Sequence, residues 1–166
     1  MNGNELRALQ APLKQKYRSD PGSALVTSRA QALLDPQRLR ARLAGEQPRI
    51  AGLHPAAGGS GDEACSADLL LESLVACAAV TLLAVATSLG AELTGGKVIA
   101  EGTWDARGTL GIDKTVPVGI RNITMKFELE GPLDETTRHR LIQSTERYCV
   151  ILATLREPPA IEIVPS

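Results

Sequence analysis

The stretch Ser66–Leu89, SADLLLESLVACAAVTLLAVATSL, decides the fold of this chain. Leucine, valine and alanine cover every face of the helix that it would form, and its only charged residues are Asp68 and Glu72. This pattern predicts a helix that is buried on nearly all sides, since a surface helix has a single apolar stripe. The stretch is also long enough to span a bilayer, but two carboxylates, many small residues and no positive flank favour a buried helix over a membrane span.

Local signals at both ends support these bounds. Ser66 stands where an N-cap belongs, Asp68 places a negative charge in the first turn, and Gly90 suits a left-handed C-cap. Covering every face of such a helix requires neighbours on all sides, and the chain supplies only one Phe, one Trp and two Tyr. We therefore expect a second copy of the chain to provide part of the cover, as a homodimer.

Composition limits the function classes. A chain of 166 residues predicts a single domain over residues 1–166, and a formal net charge of −1 argues against a nucleic-acid partner. The N-terminus has no apolar segment typical of a signal peptide. Three cysteines, Cys65, Cys77 and Cys149, are too few and too unevenly spaced for a disulfide scaffold, so we expect a cytoplasmic protein with free thiols.

Elements before the long helix are predicted from turn residues and alternation of apolar and polar residues. Residues 34–43 contain three arginines at alternate positions, Arg38, Arg40 and Arg42, which fits either a strand with a basic edge or a short helix. The other predicted elements are a helical arm over residues 1–13, strands at 14–19, 23–31 and 49–54, a turn at Asp20-Pro21-Gly22 and a glycine-rich loop at 55–62.

After the long helix, the pattern returns to strands and then to short helices. Residues 118–130 alternate clearly, and Ile123, Met125, Phe127 and Leu129 should face the core. The other predictions are a strand at 96–105, helices at 134–148 and 150–155, and a closing strand at 160–164. This order indicates an α+β fold with an antiparallel sheet rather than alternating βαβ units.

Thiols are the strongest candidates for chemistry. His54 and His139 are far apart, and no zinc-ligand spacing links them to the cysteines, so we expect no metal site. Cys77 lies in the middle of the long helix, where a cysteine often serves only as a small apolar side chain. Cys149 precedes a helix, and a helix N-terminus lowers the pKa of a thiol.

Two segments resemble the cysteine motifs of the OsmC/Ohr proteins, the osmotically inducible protein C and organic hydroperoxide resistance proteins. LLLESLVACAAVTL at 69–82 resembles the first motif, and ERYCVILATL at 146–155 resembles the second. RGTLGI and VPVGIRNITMKFELEG between them are similar to the central strands of that family. The resemblance implies an intertwined α+β homodimer with long helices at its centre and antiparallel sheets outside.

The resemblance also implies a reaction. Cys77 would attack an organic hydroperoxide, its sulfenic acid would form a disulfide with Cys149, and an external dithiol, typically on a lipoyl-bearing protein, would reduce that disulfide without any bound cofactor. In this family an arginine from the N-terminal strands assists the first cysteine; Arg18 is our candidate and Arg29 the reserve. The family glutamate that holds this arginine, ten residues before the first cysteine, is replaced here by Ala67.

Four further residues are weaker binding candidates. Glu72 either pairs with an arginine or marks a site, and Asp68 is best interpreted as a carboxylate at the positive end of the helix. Cys65 is either a buried filler or a second thiol that reaches the partner's site, and His54 either lines a pocket mouth or lies at the surface. With Ala67 in place of the family glutamate, the alternative function is binding of a small apolar ligand at the dimer interface; a structural dimer with inert thiols is the remaining possibility.

Overall fold

The structure, a computed structural model, describes residues 1–45 and 48–165. It has the predicted α+β composition. The helices are α1 (Gly3–Ser19), α2 (Ser66–Leu89), α3 (Ala106–Thr109), α4 (Glu135–Tyr148) and α5 (Val150–Arg156). The strands are β1 (Ala32–Asp35), β2 (Arg40–Leu43), β3 (Arg49–Gly52), β4 (Ala64–Cys65), β5 (Gly95–Thr103) and β6 (Arg121–Glu130).

Two compact units share the chain, and each is discontinuous in sequence. The helical unit comprises Met1–Ser19, Ser73–Ile99 and Met125–Ser166, and the sheet unit comprises Asp20–Glu72 and Ala100–Thr124. Because α2, β5 and β6 each contribute residues to both units, neither unit is a separate stretch of the chain.

The core of the helical unit forms along one face of α2. Its buried residues follow at intervals of four, which places them on one side of a helix, and two of them pack against the fully buried Leu141 of α4. Each large aliphatic side chain buried there contributes about 1.5–3 kcal/mol to folding. The buried residues of α2 are Leu74, Ala78, Leu82 and Ala86, and the half-buried residues around them include Val85, Val98, Phe127, Leu129 and Leu133.

The opposite face of α2 is not covered by its own chain. Ala76 is exposed, and Val80 and Leu83 are 68% and 56% exposed. These residues are four and then three positions apart, the spacing of residues at the contact between two helices that lie side by side. Within the described residues, α2 alone has the length and hydropathy to cross a bilayer, as core helices of folded proteins also can. Only Leu74, Ala78, Leu82 and Ala86 of α2 are buried, so the described residues do not enclose the helix on nearly all sides, and cover by a second copy stays a prediction.

The sheet unit contains a four-stranded sheet in the order β1-β2-β3-β4. β1–β2 and β2–β3 are antiparallel pairs, whereas β3 and β4 are parallel. The ambiguous stretch 34–43 forms parts of β1 and β2 and the turn between them, where Leu39 has a φ of 50°. It is therefore a hairpin and not a helix.

β5 and β6 form a second, two-stranded sheet. The Thr94 N–H donates to the Glu130 carbonyl at one end, and the Thr103 hydroxyl donates to the Arg121 carbonyl at the other, so the two strands run antiparallel. The predicted inward set of β6 is confirmed: Ile123, Met125, Phe127 and Leu129 are all half-buried, while Asn122, Thr124 and Lys126 are exposed.

Helix ends follow their sequence signals. Asn2 and Glu5 form a capping box at the start of α1, with the Asn2 side chain accepting from the Glu5 N–H and the Glu5 carboxylate accepting from the Asn2 N–H. The predicted cap of α4 is confirmed, because the Asp134 carboxylate accepts from the Thr137 N–H at 2.7 Å. Gly90 has a φ of 68° and ends α2 as predicted.

Three predicted strands are wrong. Residues 14–19 continue α1, which runs through Pro12 instead of ending there. Residues 25–31 and 160–164 have strand-like sequences but no regular structure, and Leu25 and Ile163 are 86% and 89% exposed. A strand requires hydrogen-bonding neighbours, and the sheets of the described residues include neither segment; only the Gln31 carbonyl, next to β1, accepts a hydrogen bond, from the Ala44 N–H.

Candidate active site

Cys77 and Cys149 lie together in the helical unit. Cys77 is half-buried in the middle of α2, whereas Cys149 is 0% exposed at the junction of α4 and α5. The N–H of Cys149 donates to the Thr145 carbonyl at 2.9 Å, and its carbonyl accepts from the Ala153 N–H at 3.0 Å. Cys149 therefore ends one helix and begins the next, which directs the first turn of α5 toward the thiols.

Several donors meet at the Cys77 sulfur. Partial burial alone would raise the pKa of this thiol, but the backbone N–H groups of Ile151 and Val150 at the start of α5 donate hydrogen bonds to it. The Cys149 thiol and the Thr81 hydroxyl add two further hydrogen bonds. Together these donors hold the pKa of Cys77 below its usual value, because they stabilise the thiolate.

The pKa of Cys149 is shifted the other way. Burial raises it, and so does the negative charge that develops on the adjacent Cys77 sulfur, despite hydrogen bonds from the Leu152 and Ile151 N–H groups. The sequence suggests that the start of α5 lowers the pKa of Cys149, whereas burial and the neighbouring Cys77 raise it. The first turn of α5 instead stabilises the thiolate of Cys77, which the fold brings beside it.

A tightly packed wall supports the buried thiol. Leu141, Thr145 and Cys149 follow at intervals of four along α4 and its end, and all three are 0% exposed. The Thr145 hydroxyl donates to the Leu141 carbonyl at 2.8 Å, so this buried polar group is satisfied. The wall leaves Cys77 as the more accessible of the two sulfurs.

A groove of about 710 Å³ runs between α1, α2 and α4. Its floor on α2 is mainly apolar, and Thr81 of this floor also contacts the Cys77 sulfur. Lys14 of α1 and Arg140 of α4 contribute positive charges to the walls. The remaining lining residues are Gln10, Val80, Ala84, Val85, Ser88, Leu89, Ser144 and Tyr148.

The two arginine candidates are both exposed. Arg18 lies in the last turn of α1, not on a strand, and Arg29 lies in the segment without regular structure. Neither makes a side-chain hydrogen bond or an ion pair within residues 1–45 and 48–165. Hydrogen-bond donors without charge are sufficient to lower the pKa of Cys77; the roles of Arg18 and Arg29 stay predictions.

Glu72 forms an ion pair with an arginine, as the first of the two alternatives in the sequence analysis predicts. The Arg49 guanidinium donates to the Glu72 carboxylate at 2.5 Å and lowers its pKa. Both side chains are about half exposed, so water screens the pair and it adds little to stability. Asp68 is exposed in the first turn of α2, where its negative charge interacts favourably with the helix dipole.

Cys65 and His54 lie in the sheet unit. Cys65 is a half-buried free thiol in β4, opposite Gly52 of β3. His54 Nδ1 accepts from the Ala56 N–H at 3.0 Å, and its ring contacts Trp104 edge-on with centroids 5.2 Å apart. His54 therefore stabilises a turn. No group of three or more potential metal ligands is present among the residues that the structure describes.

Sequence reasoning missed two contributors to the thiol site. The N–H groups of α5 are not visible in a sequence, because they depend on how α4 and α5 meet. Thr81 could have been found, since a hydroxyl four residues after a cysteine in a helix lies on the same face.

Comparison with known proteins identifies the family and the fold. A family model described as OsmC-like protein matches residues 59–164. The structure is similar to that of an OsmC-like protein from Mycoplasma pneumoniae, with a TM-score of 0.66 and 19% identity over 80% of this chain and 89% of that chain. No curated protein sequence matches this chain.

A second similar structure comes from Legionella pneumophila and is described as an organic hydroperoxide resistance protein OsmC, predicted redox protein and regulator of sulfide bond formation. Its TM-score is 0.63, with 17% identity over 81% of this chain and 92% of that chain. At these identities the likeness establishes a common fold.

Proposed function

The chain belongs to the OsmC-like protein family, and from this premise we propose that it is a thiol-dependent peroxidase that reduces organic hydroperoxides. The name of the Legionella pneumophila protein supports the substrate class. The observation that carries the proposal is the asymmetry of two adjacent thiols: Cys77 is accessible with a lowered pKa, and Cys149 is buried with a raised pKa.

This asymmetry assigns a different step to each sulfur. An ordinary thiol with a pKa near 8.5 is only about 3% thiolate at pH 7, so a lowered pKa increases the reactive fraction of Cys77. The Cys77 thiolate attacks the terminal peroxide oxygen, the O–O bond breaks, and the alcohol leaves after taking up a proton. Cys149 then gives up its proton and attacks the Cys77 sulfur, and the sulfenic hydroxyl leaves with a proton as water, which gives the disulfide.

An external dithiol completes the cycle in this proposal. It attacks the Cys77 sulfur, the more accessible of the two, releases Cys149 as a thiol and leaves as its own disulfide. A lipoyl-type dithiol is our first candidate, and a reducing compartment such as the cytoplasm would maintain the thiols between turnovers. No bound cofactor takes part in these steps.

The proposal is tested by consumption of cumene hydroperoxide with dihydrolipoamide as the reductant. We expect steady turnover by the wild type, background consumption by Cys77→Ser and near wild-type turnover by Cys65→Ser, which removes a thiol outside the pair. One equivalent of peroxide should consume two thiols and yield a disulfide between the Cys77 and Cys149 peptides in mass spectra. Wild-type consumption no faster than that of Cys77→Ser would contradict the proposal.

The groove beside Cys77 favours a second candidate function, retention of a small apolar ligand. Its apolar floor on α2 suits an acyl chain of modest length. Native mass spectrometry distinguishes the two functions. A wild type that is inactive toward peroxide but carries a co-purified apolar molecule would favour ligand binding.

We also propose a homodimer in which α2 packs against α2 of a second copy. The exposed residues Ala76, Val80 and Leu83 have the spacing of a helix–helix seam, and small side chains among them allow close approach. Pairing of two copies would remove this apolar stripe from water, which favours association.

Leu83→Glu should convert this dimer to monomers, because it places a charge in the seam. Light scattering after gel filtration should give twice 17.6 kDa for the wild type and 17.6 kDa for Leu83→Glu. The matched control is Leu9→Glu on α1, where the leucine is 59% exposed but outside the seam. A wild type that remains at the mass of one chain at tens of micromolar would contradict the dimer.

A further inference from the structure

We propose that the groove between α1, α2 and α4 binds an amphiphile with one alkyl chain and an anionic head group. The alkyl chain lies along α2, and the head group lies at the walls that carry Lys14 and Arg140. All lining residues belong to the helical unit, so the site is formed within one unit of one chain. The proposal rests on the second candidate function, whose ligand it specifies, and it does not depend on peroxide reduction.

The floor of the groove is one face of α2. Thr81, Ala84 and Ser88 follow at intervals of three and four, so they lie on the same side of the helix, with Val80 and Val85 beside them. Two of these side chains are small, which leaves space above the helix for an alkyl chain. The volume of about 710 Å³ is in the range of sites for small molecules. Of the lining residues, only Val80 also belongs to the proposed seam between two copies.

The walls of the groove carry two cations without acidic partners. Lys14 of α1 and Arg140 of α4 are exposed, and none of the lining residues is acidic. Neither side chain forms a hydrogen bond or an ion pair in the part of the chain that the structure describes. Other cations of the chain do pair with carboxylates, namely Arg40, Arg49, Lys97, Arg107 and Arg156.

The combination of unpaired cations and an apolar floor selects the class of ligand. The positive charge is local, because the formal net charge of the whole chain is −1. A neutral apolar molecule gains only removal of its surface from water, and a small anion gains only the attraction of the cations. An anionic amphiphile gains both, so the groove should prefer it to either.

The wall formed by α1 is held close to α2. A Cβ atom at Gly3 would lie 2.7 Å from the Thr87 carbonyl oxygen, so the absence of a side chain at Gly3 allows this close approach. Gln10 and Lys14 of the same wall lie outside residues 59–164, which the family model matches. The match to the family therefore does not include this side of the groove.

Isothermal titration calorimetry of the reduced protein tests the site with decanoate, decyl phosphate and decanol, which share one alkyl chain. We expect both anions to bind at least about tenfold more tightly than decanol, because only they form charge-assisted contacts with a cation. The tighter of the two anions identifies a carboxylate or a phosphate as the preferred head group. Octanoate should bind about tenfold more weakly than decanoate, since two fewer methylene groups leave water.

Substitutions separate the contributions of the walls and the floor. Lys14→Gln and Arg140→Gln should each weaken decanoate binding about fivefold and leave decanol binding unchanged. The matched control is Lys16→Gln, which removes an exposed charge about 160° around α1 from Lys14 and should change the affinity less than about twofold. Ala84→Leu fills the floor and should weaken both ligands about tenfold. Thermal unfolding checks each fold, and the charge variants decide the head group even if Ala84→Leu unfolds.

The outcomes distinguish this inference from the proposed functions. Equal affinities for decanol and decanoate would overturn the anionic head group, while the second candidate function would stand. Absence of binding by all three probes would refute both. Weakening by Lys16→Gln as large as that by Lys14→Gln, or binding to phosphatidylglycerol vesicles without binding of decanoate, would overturn the groove site. Cys77→Ser should bind decanoate as the wild type does, so the result is independent of the peroxidase.

Discussion

Cys149→Ser is expected to stop catalytic turnover after one oxidation per chain, with a fall of at least about 100-fold in steady-state hydroperoxide consumption. The physical reason is that the two thiols carry out different steps: Cys77 attacks the peroxide, and Cys149 forms the disulfide. Cys77 keeps the α5 N–H groups and Thr81 that lower its pKa, so its attack on the peroxide continues. The resulting sulfenic acid has no neighbouring thiol with which to condense, since serine cannot form a disulfide.

Two measurements identify this state. Dimedone labels sulfenic acids, and mass spectrometry should show one adduct on the Cys77 peptide of Cys149→Ser after one equivalent of peroxide. Stopped-flow oxidation should show a first step only a few-fold slower than in the wild type, because a serine hydroxyl replaces the thiol hydrogen bond. Cys65→Ser serves as the control for loss of a thiol elsewhere. Sustained turnover by Cys149→Ser would show that Cys149 is not the resolving thiol.

The long helix was predictable because its cause is local. The apolar composition of residues 66–89 and the glycine at 90 are enough to set the ends of α2, and the structure has the same bounds. The alternation of β6 and the Asp134 cap of α4 are equally local, and both predictions are confirmed. The two cysteine motifs identified the family because motif similarity does not require knowledge of packing.

The failed strand predictions depended on partners that a sequence does not display. Residues 25–31 and 160–164 have the composition of strands, but a strand exists only where a neighbour supplies its hydrogen bonds. Residues 14–19 were misassigned because Pro12 was treated as the end of a helix. Proline is costly inside a helix, by about 3 kcal/mol, but it does not always end one, and α1 continues past Pro12 to Ser19. Gln10 and Lys14 on either side of Pro12 line the groove with α2.

The family resemblance indicated the two cysteines of the candidate site, but not the groups that surround them. The pairing of Cys77 with Cys149 follows from the family resemblance, and so does the expectation that an arginine assists Cys77. The structure places backbone N–H groups and a hydroxyl near the Cys77 sulfur, and the arginine stays a prediction. Such donors arise from the junction of α4 and α5, and no residue type in the sequence marks them.

Leu141→Ala should lower the free energy of unfolding by about 2–5 kcal/mol, the second large effect that we expect. Leu141 is 0% exposed and packs against Leu82 and Ala86 of α2, so its truncation leaves a cavity that close neighbours cannot fill without moving. Urea denaturation of the reduced protein at one fixed concentration measures the change, since dimerisation would make stability depend on concentration.

The matched control is Leu9→Ala, which removes the same atoms from a leucine that is 59% exposed and should cost less than about 1 kcal/mol. Leu141 also lies one turn before Thr145 in the wall behind Cys149, so its loss should loosen the buried thiol. We therefore expect faster labelling of Cys149 by a maleimide in native Leu141→Ala than in the wild type. Equal stability losses in the two variants would mean that the α2–α4 contact does not form the core of the helical unit, and the support of the thiol pair would then need another source.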